Sequence, residues 1–272
     1  MHIEKNSVQE TLIIPLYGRV MCTRMYPQLF QDRQAENLIR ALDYDFSALE
    51  KKSKGIGYRF GALETAMRQY DMKMEMQAYL NSHPHASLVN LGCGLDTTCE
   101  SIDNGKCRIY NLDMPDVIET RNSLIPPNDR TVNIACDLND HTWADQIESS
   151  DGVCFMAAGV FYYFTKTQIR HLFTMMKERF PGGRLVFDTA GKMAVSMMVK
   201  TFIKDAGISS IEECFYIEKP DKDLAWLNAE ISWKGYMLGS NDLKHPSVSA
   251  LFRMLAKTGD SVMKMRIIRI DF

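Results

Sequence analysis

The sequence predicts an α/β fold in which a mostly parallel sheet carries helices on both faces. Two observations favour this fold. A buried strand, a glycine turn and an acid at the end of the next strand lie within residues 87–113, and strand-like and helix-like runs alternate from there to about residue 205. The chain has 272 residues, which is enough for one large α/β domain with an appended lobe.

Residues 87–113, SLVNLGCGLDTTCESIDNGKCRIYNLD, organise the rest of the chain. The apolar run over residues 88–91 is typical of a parallel strand that is covered on both faces, and it stops at Gly92. Gly92 and Gly94 allow a tight turn and a close approach of the backbone to a ligand. Asp113 follows at the end of a second strand, where a carboxylate can bind the hydroxyl groups of a ribose.

The glycine pattern departs from the dinucleotide fingerprint G-x-G-x-x-G. Thr97 stands where the third glycine would be, and Asp96 lies where a pyrophosphate would approach the helix N-terminus. That acid would repel a phosphate, whereas S-adenosylmethionine carries a sulfonium, an ammonium and a ribose diol, all of which suit acids. The stretch therefore favours S-adenosylmethionine over a nicotinamide dinucleotide, with an ordinary strand-to-helix turn as the alternative.

Composition argues against several classes of partner. The formal net charge is -2, with 24% charged residues, so no basic surface indicates nucleic acid. No apolar run approaches the roughly 20 residues of a membrane span, and the N-terminus lacks the apolar core of a signal peptide. We therefore expect a cytoplasmic protein with neither a membrane nor a nucleic-acid partner.

The cysteine and histidine patterns predict neither a disulfide framework nor a metal site. The seven cysteines are odd in number and form no C-x-x-C pair, and the six histidines form no H-x-x-x-H pair. The sequence also contains no G-x-S-x-G elbow and no P-loop.

Residues 1–82 are expected to form a helical lobe. Asp32 has the position of an N-cap for an amphipathic helix, and a long helix is predicted over Leu63–Leu80. Pro15 is expected to interrupt the first apolar segment, and Gly57 to break the segment before the long helix.

Residues 83–272 are expected to form the core, with an irregular insertion over about residues 206–245 that covers the pocket. Strands are predicted near residues 87–92, 107–113, 130–137, 152–158, 183–189 and 263–272. Helices are predicted near residues 96–102, 115–123, 142–147, 166–180, 192–205 and 247–257, with Pro115 in a first turn and Thr165 as an N-cap. Because ligands bind at the carboxyl ends of parallel strands, residues there are the candidates for a site.

Two groups of polar residues are candidates for binding the cofactor. Asp137 and Leu138 follow the third strand, where an acid and a backbone amide can bind an adenine; a helix N-cap is the alternative for Asp137. Arg68 lies on the long helix and can hold a carboxylate through two parallel hydrogen bonds, with Asp71 to orient it. A surface ion pair is the alternative for Arg68.

Small and aromatic residues follow the fourth strand. Ala158 and Gly159 let a sulfonium approach the backbone, and the aromatic residues after them can enclose a cation, with core packing as the alternative. Tyr163 is the candidate catalytic residue, as a pocket wall or hydroxyl donor. The candidate substrate contacts are Tyr17, Tyr163 and His245.

Six segments together carry a more specific pattern: MRQYD, LVNLGCGLDTT, YNLDMPDVIETR, ACDLNDHTW, AAGVFYYF and PGGRLVFD. In combination they resemble the leucine carboxyl methyltransferase family, especially its bacterial branch, which includes polyketide O-methyltransferases. The resemblance covers roughly residues 10–190 and, more loosely, the C-terminal strand.

The resemblance implies a Rossmann-like class I methyltransferase with a seven-stranded sheet and S-adenosylmethionine as cofactor. Arg68 would hold the cofactor's carboxylate, Asp113 its ribose and Asp137 its adenine. The implied cofactor-binding residues are Arg68, Gly92, Cys93, Gly94, Asp96, Asp113, Met114, Asp137, Leu138, Ala158 and Gly159.

Two residues depart from the family pattern. Thr98 replaces the arginine that is usual after G-L-D-T, and Ala158 replaces the glutamate that is usual before G-V. The second departure removes an acid that would contact the cofactor's ammonium or the substrate. It also argues against transferring a protein-phosphatase substrate to this chain.

We therefore expect methyl transfer from S-adenosylmethionine to an oxygen of a small molecule. A carboxylate acceptor needs no base, whereas a phenol or alcohol does, and the sequence offers no convincing base. This favours a carboxylate or an acidic hydroxyl. A methyltransferase for a protein's terminal carboxylate and a non-catalytic protein that binds S-adenosylmethionine are the alternatives, and a homodimer stays open.

Overall fold

The computed structural model describes residues 8–198, 214–235, 243 and 245–272, with side chains from residue 12 onward. The strands are β1 Ser87–Leu91, β2 Arg108–Asp113, β3 Thr131–Ala135, β4 Val153–Ala157, β5 Arg184–Thr189, β6 Glu230–Gly235 and β7 Arg266–Asp271. The α-helices are α1 Val8–Met25, α2 Arg33–Ala41, α3 Ser47–Ser53, α4 Ile56–Ser82, α5 Pro115–Leu124, α6 Lys166–Arg179, α7 Lys192–Met198, α8 Pro220–Asp223 and α9 Ala250–Ser261. Short 3₁₀ helices lie at Glu100–Ile102, His141–Gln146, Phe161–Tyr163 and Ala225–Leu227.

The described strands form one sheet in the order β3-β2-β1-β4-β5-β7-β6. Strands β1 to β5 pair in parallel, and β7 runs antiparallel to both β5 and β6. The prediction of a mostly parallel sheet is therefore confirmed. The sequence analysis missed β6, which it placed in an irregular insertion. This edge strand, EISWKG, has no fully buried residue, so it lacks both an apolar run and a clear alternation.

Both faces of the sheet are covered because successive residues of a strand point to opposite sides. On one face, Val89 and Phe155 belong to a core that includes the apolar side of α6. On the other face, Leu88 and Met156 pack in a core with α4 and α9. Helix α4 therefore belongs to the sheet's core as well as to the N-terminal helices, and the division of the chain at residue 82 stays a prediction.

The predicted N-caps are present at two helices, and the predicted first-turn proline at a third. The side chain of Asp32 accepts a hydrogen bond from the backbone of Ala35 and caps α2. Thr165 and Gln168 form a capping box at the start of α6. Pro115 lies in the first turn of α5, as expected from its fixed φ angle.

Two helices are longer than the sequence predicted. Helix α1 continues through Pro15, and α4 begins at Ile56 and includes Gly57. A proline within a helix costs about 3 kcal/mol. Ile13 and Leu16, on either side of Pro15, are at most 1% exposed, and burial of this apolar face offsets that cost.

Two other predicted helices are short 3₁₀ turns. Over residues 96–102 only Glu100–Ile102 is helical, as a single 3₁₀ turn. The helix predicted over residues 142–147 is likewise a 3₁₀ helix.

Parts of two predictions lie outside the described residues. The helix expected over residues 192–205 is observed as α7 as far as Met198, and residues 199–213 and 236–242 of the segment around the expected insertion are not described. Within the described ranges, none of the helices combines the length and hydropathy that a membrane span requires.

Candidate functional site

A cavity of about 110 Å³ lies where the glycine loop after β1 meets α1 and α4. Helix α1 contributes Leu12 and Arg19, among others, to its wall. Six of the predicted cofactor-binding residues line it: Arg68, Gly92, Cys93, Gly94, Asp96 and Ala158. The structure thus brings together residues from four separate parts of the chain, as the carboxyl ends of parallel strands require.

The loop after β1 needs glycine at two positions. Gly92 and Gly94 have φ angles of 61° and 47°, in the left-handed region that other residues rarely adopt. A Cβ on Gly92 would lie 2.6 Å from Cγ2 of Val160, and one on Gly94 would lie 3.1 Å from Cδ2 of Leu12. The absence of side chains at these positions therefore lets the loop lie close to both neighbours.

Asp113 is tied directly to this loop. Its Oδ2 accepts a hydrogen bond from the backbone N–H of Gly94 at 2.7 Å, and its Oδ1 accepts one from Met114 at 2.8 Å. Burial raises the pKa of Asp113 above its ordinary value, and the two backbone hydrogen bonds partly offset this rise. The carboxylate at the end of β2 therefore lies beside the glycine turn, as the sequence predicted.

Asp137 lies next to Asp113 on the same edge of the sheet. The backbone N–H of Cys136 donates to the backbone carbonyl of Asp113 at 2.9 Å, which joins the ends of β2 and β3. The side chain of Asp137 is exposed and accepts from the N–H of Asn139 at 2.9 Å. The following 3₁₀ helix is capped by Asp140, so Asp137 does not serve as the N-cap that was its alternative interpretation.

The other predicted cofactor residues follow the ends of β2, β3 and β4 and are not among the residues that line the cavity. Met114 follows β2 and is 47% exposed, whereas Leu138 follows β3 and is buried. The carbonyl of Leu138 accepts a hydrogen bond from Nε1 of Trp143, which fixes the loop after β3. Gly159 follows Ala158 at the end of β4 and faces Arg68.

Arg68 is held in place by Asp188, the penultimate residue of β5. Nη1 of Arg68 donates to Oδ2 of Asp188 at 3.1 Å. The Asp188 carboxylate is 2% exposed and also accepts from the N–H of Gly159 at 2.6 Å and the hydroxyl of Tyr162 at 3.1 Å. A Cβ on Gly159 would lie 3.0 Å from Nη1 of Arg68. The guanidinium therefore lies directly over this glycine.

The acid that orients Arg68 differs from the one that the sequence analysis expected. Asp71 is fully buried, and its carboxylate lies 3.6 Å from Nζ of Lys234 on β6. Lys234 also pairs with Glu75 at 3.0 Å. Asp71 therefore joins α4 to the edge of the sheet, while Asp188 pairs with Arg68.

The Asp96 carboxylate is surrounded by protein donors. Its Oδ2 accepts from Arg19 at 2.8 Å and from Nε2 of Gln69 at 3.1 Å. Its Oδ1 accepts from the backbone N–H of Thr98 at 2.8 Å and from Nδ2 of Asn90 at 3.3 Å. This acid was predicted to bind the amino-acid part of the cofactor. In the structure it binds α1 and α4 to the glycine loop.

Arg121 on α5 fixes the backbone of the same loop. Its fully buried guanidinium donates through Nη1 to the carbonyl of Gly94 at 2.9 Å and that of Asp96 at 2.7 Å. Its Nη2 pairs with Oε1 of Glu100 at 2.6 Å. One buried side chain therefore binds two carbonyl oxygens of the glycine loop and holds its backbone in place.

Tyr163 is the last residue of the 3₁₀ helix that follows β4, and it is 49% exposed. Burial of part of the ring raises the pKa of Tyr163, although the nearby Arg68 acts in the opposite direction. The hydroxyl therefore stays protonated at neutral pH and can donate a hydrogen bond but not accept a proton as a phenolate.

The structure does not bring Tyr17 or His245 to the cavity. Tyr17 is 5% exposed and packs in the core of the N-terminal helices, with its ring centroid 5.7 Å from that of Phe46. Nδ1 of His245 lies 2.8 Å from the hydroxyl of Ser247, in the turn before α9. Tyr17 lies on the apolar face of α1 and is therefore part of the core. His245 lies in a local turn and is therefore held away from the cavity.

The seven cysteines are all free thiols in the described structure, and burial raises the pKa of Cys93 well above its ordinary value. Within residues 8–198, 214–235, 243 and 245–272, no group of three or more His, Cys, Asp or Glu side chains is placed to hold a metal ion.

Comparison with known proteins decides the family. Residues 13–177 match the family described as leucine carboxyl methyltransferase, and this match spans more than half of the chain. The chain belongs to the leucine carboxyl methyltransferase family. It is therefore a methyltransferase, and S-adenosylmethionine is its methyl donor.

Two individual proteins extend this finding. The chain is 27% identical over 187 residues to the tetracenomycin polyketide synthesis O-methyltransferase TcmP of Streptomyces glaucescens, which covers 68% of this chain and 67% of that protein. A DUF574 family protein from Streptomyces avermitilis has a TM-score of 0.56 at 10% identity, with 94% of this chain and 96% of that chain covered. The second likeness and the strand order confirm the predicted class I methyltransferase fold.

The residues around the cavity fit S-adenosylmethionine. Arg68 offers a cation for a carboxylate, and Asp113 offers acceptor oxygens for a ribose diol. The amide oxygen of Gln69 is buried and has no hydrogen-bond partner among the described residues, so the cavity wall contains an unpaired acceptor. A zwitterionic ligand matches these groups in charge and hydrogen bonding.

Sequence reasoning missed three residues that shape the site. Asp188 lies at the end of PGGRLVFD, and the same strand-end rule that selected Asp113 would have selected it. Gln69 follows Arg68 within MRQYD, although nothing in the sequence indicates where its amide points. Arg121 ends YNLDMPDVIETR, and its burial under the glycine loop has no local signal.

Replacement of Arg121 by methionine is expected to lower the free energy of unfolding by about 3–5 kcal/mol. The change removes the cation that pairs with the Glu100 carboxylate, which keeps only its hydrogen bond from Asn111, and it removes the donor of two loop carbonyls. Urea unfolding measures the effect. Arg130→Met is the matched control, because Arg130 is 41% exposed and its ion pair with Asp103 contributes about 1 kcal/mol or less. Equal losses in the two variants would contradict the role of Arg121.

Proposed function

We propose that this methyltransferase acts on a carboxylate or an acidic hydroxyl group of a small molecule. The similarity to the Streptomyces glaucescens protein, an O-methyltransferase of polyketide synthesis, supports transfer to oxygen. The family description, which refers to a carboxyl group, supports an acidic acceptor. We also retain a cytoplasmic location and a homodimer as predictions.

The observation that carries this proposal is that the acid in the described cavity wall is already fully bound. Four protein donors surround the Asp96 carboxylate, so both of its oxygens are already engaged within the protein. The nearby hydroxyl of Tyr163 has a raised pKa, so it is a poor base. A phenol or alcohol of ordinary acidity needs a base to be methylated, whereas an acceptor that is already ionised does not.

We assign the cofactor contacts as follows. Arg68 binds the carboxylate of S-adenosylmethionine, and Asp113 accepts hydrogen bonds from its ribose. The loop over residues 92–96 lies along its amino-acid part, and Asp137 with the backbone N–H of Leu138 binds its adenine. The location of all these groups along one edge of the sheet supports the assignment.

The protein's part in the reaction is to align two reactants in a closed site. The cofactor supplies a methyl group that its sulfonium already activates. The acceptor oxygen forms a bond to that methyl carbon while the carbon–sulfur bond breaks and its electron pair passes to sulfur. No proton moves when the acceptor is a carboxylate. Such positioning lowers the barrier by about 7–11 kcal/mol, provided that both partners are held in the reactive geometry.

A screen of acceptors tests the proposal. The protein and S-adenosylmethionine are incubated with carboxylic acids, acidic phenols, aliphatic alcohols and a peptide with a free C-terminus, and mass spectrometry detects the gain of one methyl group. Methylation of acids or acidic phenols is expected, and none of the alcohols. Methylation of the peptide alone would favour the protein-carboxylate alternative. Methylation of none, although the cofactor binds, would favour a non-catalytic protein.

Binding of S-adenosylhomocysteine is expected to weaken at acidic pH because of Asp113. Ribose hydroxyls donate to the ionised carboxylate, and burial raises the pKa of Asp113, so its protonation starts at a higher pH than for an exposed aspartate. Calorimetry on the folded protein should show constant affinity near neutral pH and about a tenfold loss per pH unit below the raised pKa. Asp113→Ala should bind more weakly and show no such loss. The same pH profile in both proteins would rule out the ribose role.

Replacement of Gly159 by alanine is expected to weaken cofactor binding through Arg68. Gly159 and Gly105 have φ angles of 73° and 78°, so alanine at either position costs about 1–2 kcal/mol in stability. A Cβ at Gly159 displaces the guanidinium of Arg68, whereas a Cβ at Gly105 meets no atom within 4 Å. Calorimetry with S-adenosylhomocysteine should therefore show roughly a tenfold loss for Gly159→Ala only. Equal affinities would argue against Arg68 as the carboxylate ligand.

A further inference from the structure

The amide of Gln69 has a fixed orientation in the cavity wall. Its Nε2 donates to Oδ2 of Asp96 at 3.1 Å and to Oγ1 of Thr98 at 2.9 Å. An ionised carboxylate only accepts hydrogen bonds, so the NH₂ group must face Asp96. The amide oxygen is thereby turned away from both partners, and exchange of the two amide ends would place oxygen against oxygen.

The amide oxygen of Gln69 is an acceptor that lacks a donor. It is buried and has no hydrogen-bond partner among the described residues. A buried polar group left in this state costs about 1–3 kcal/mol, and native structures contain few of them. Gln69 lines the cavity, so a ligand that binds there can supply the missing donor once the amide shifts slightly towards it.

The charges around Gln69 select the kind of donor. Arg68, the preceding residue on α4, lines the same cavity and is suited to the carboxylate of an amino acid. The other end of an amino acid is an ammonium, which needs acceptors. The oxygens of Asp96 already accept from four protein donors, and Ala158 offers no acid at the end of β4.

We propose that Gln69 accepts a hydrogen bond from the α-ammonium group of the cofactor, next to Arg68 on the α-carboxylate. This rests on the proposed role of Arg68. The inference connects the two departures from the family pattern. Thr98, which is 1% exposed, supplies the hydroxyl that holds the Gln69 amide, and Ala158 leaves the ammonium without an acid from β4. A neutral amide oxygen therefore replaces an acid as the acceptor for the ammonium group.

Calorimetry with three ligands tests the inference without any turnover. The ligands are S-adenosylhomocysteine, its analogue with hydrogen in place of the α-ammonium, and 5′-methylthioadenosine, which lacks the amino-acid part. Gln69→Met is expected to lower the affinity for S-adenosylhomocysteine roughly tenfold and to change the affinities for the other two ligands less than twofold. Arg68→Ala should weaken both ligands that carry a carboxylate and leave 5′-methylthioadenosine unchanged.

Two further variants make the test specific. Gln77→Met places the same substitution on an outer part of α4, where the amide donates to Asn81 at an exposed site, and it should change no affinity. Thr98→Val keeps the volume of residue 98 and removes the hydroxyl that holds the Gln69 amide. It should show a smaller loss with the same ligand selectivity, so the inference stays testable if Gln69→Met does not fold.

The outcomes separate this inference from the proposed function. If Gln69→Met weakens S-adenosylhomocysteine and its deaminated analogue equally, Gln69 acts only by holding Asp96 and the inference is overturned. The same conclusion follows if the wild-type protein binds these two ligands equally well. A failed acceptor screen with the expected ligand selectivity would overturn the acceptor class and leave the role of Gln69 intact.

Discussion

The carboxylate of Asp96 is the contact on which the cofactor cavity depends. It accepts hydrogen bonds from α1, α4, the end of β1 and its own loop. Arg19, its partner on α1, is 4% exposed and is shared with Asp32, whose Oδ2 lies 3.3 Å from Nε. Because buried charges must be paired and hydrogen-bonded, this arrangement fixes the two helices against the glycine loop. The cavity is the space that remains between them.

The backbone of the glycine loop is fixed by side chains from α5 and from the end of β2. The Arg121 guanidinium donates to two carbonyl oxygens of the loop, and the Asp113 carboxylate accepts a hydrogen bond from the N–H of Gly94. These hydrogen bonds hold the loop in one conformation. A methyltransferase needs such rigidity, because its methyl donor is already reactive and its main contribution is alignment.

Asp188 of β5 supplies an acid close to position 158, where the family pattern has a glutamate after β4 and this chain has alanine. Residues 158 and 188 directly follow the paired positions Ala157 and Phe187, so they lie at the same level of the sheet. The Asp188 carboxylate joins Arg68, Gly159 and Tyr162, and it thereby couples the end of β4 to α4. A carboxylate in this position orients the cation and leaves the cavity wall beside Ala158 free of acid.

The sequence by itself determined the parallel sheet, its glycine turn and the row of acids at strand ends, because these follow from local periodicity and from the direction of parallel strands. It did not determine which acids face the ligand. Asp96 and Asp71 bind other side chains of the protein, and Asp188 pairs with Arg68. In each case the partner of the carboxylate lies on an element that is distant in sequence. The formation of the edge strand β6 and the burial of Arg121 also depend on partners that are distant in sequence. Only tertiary packing brings such partners together, so no local pattern could record them.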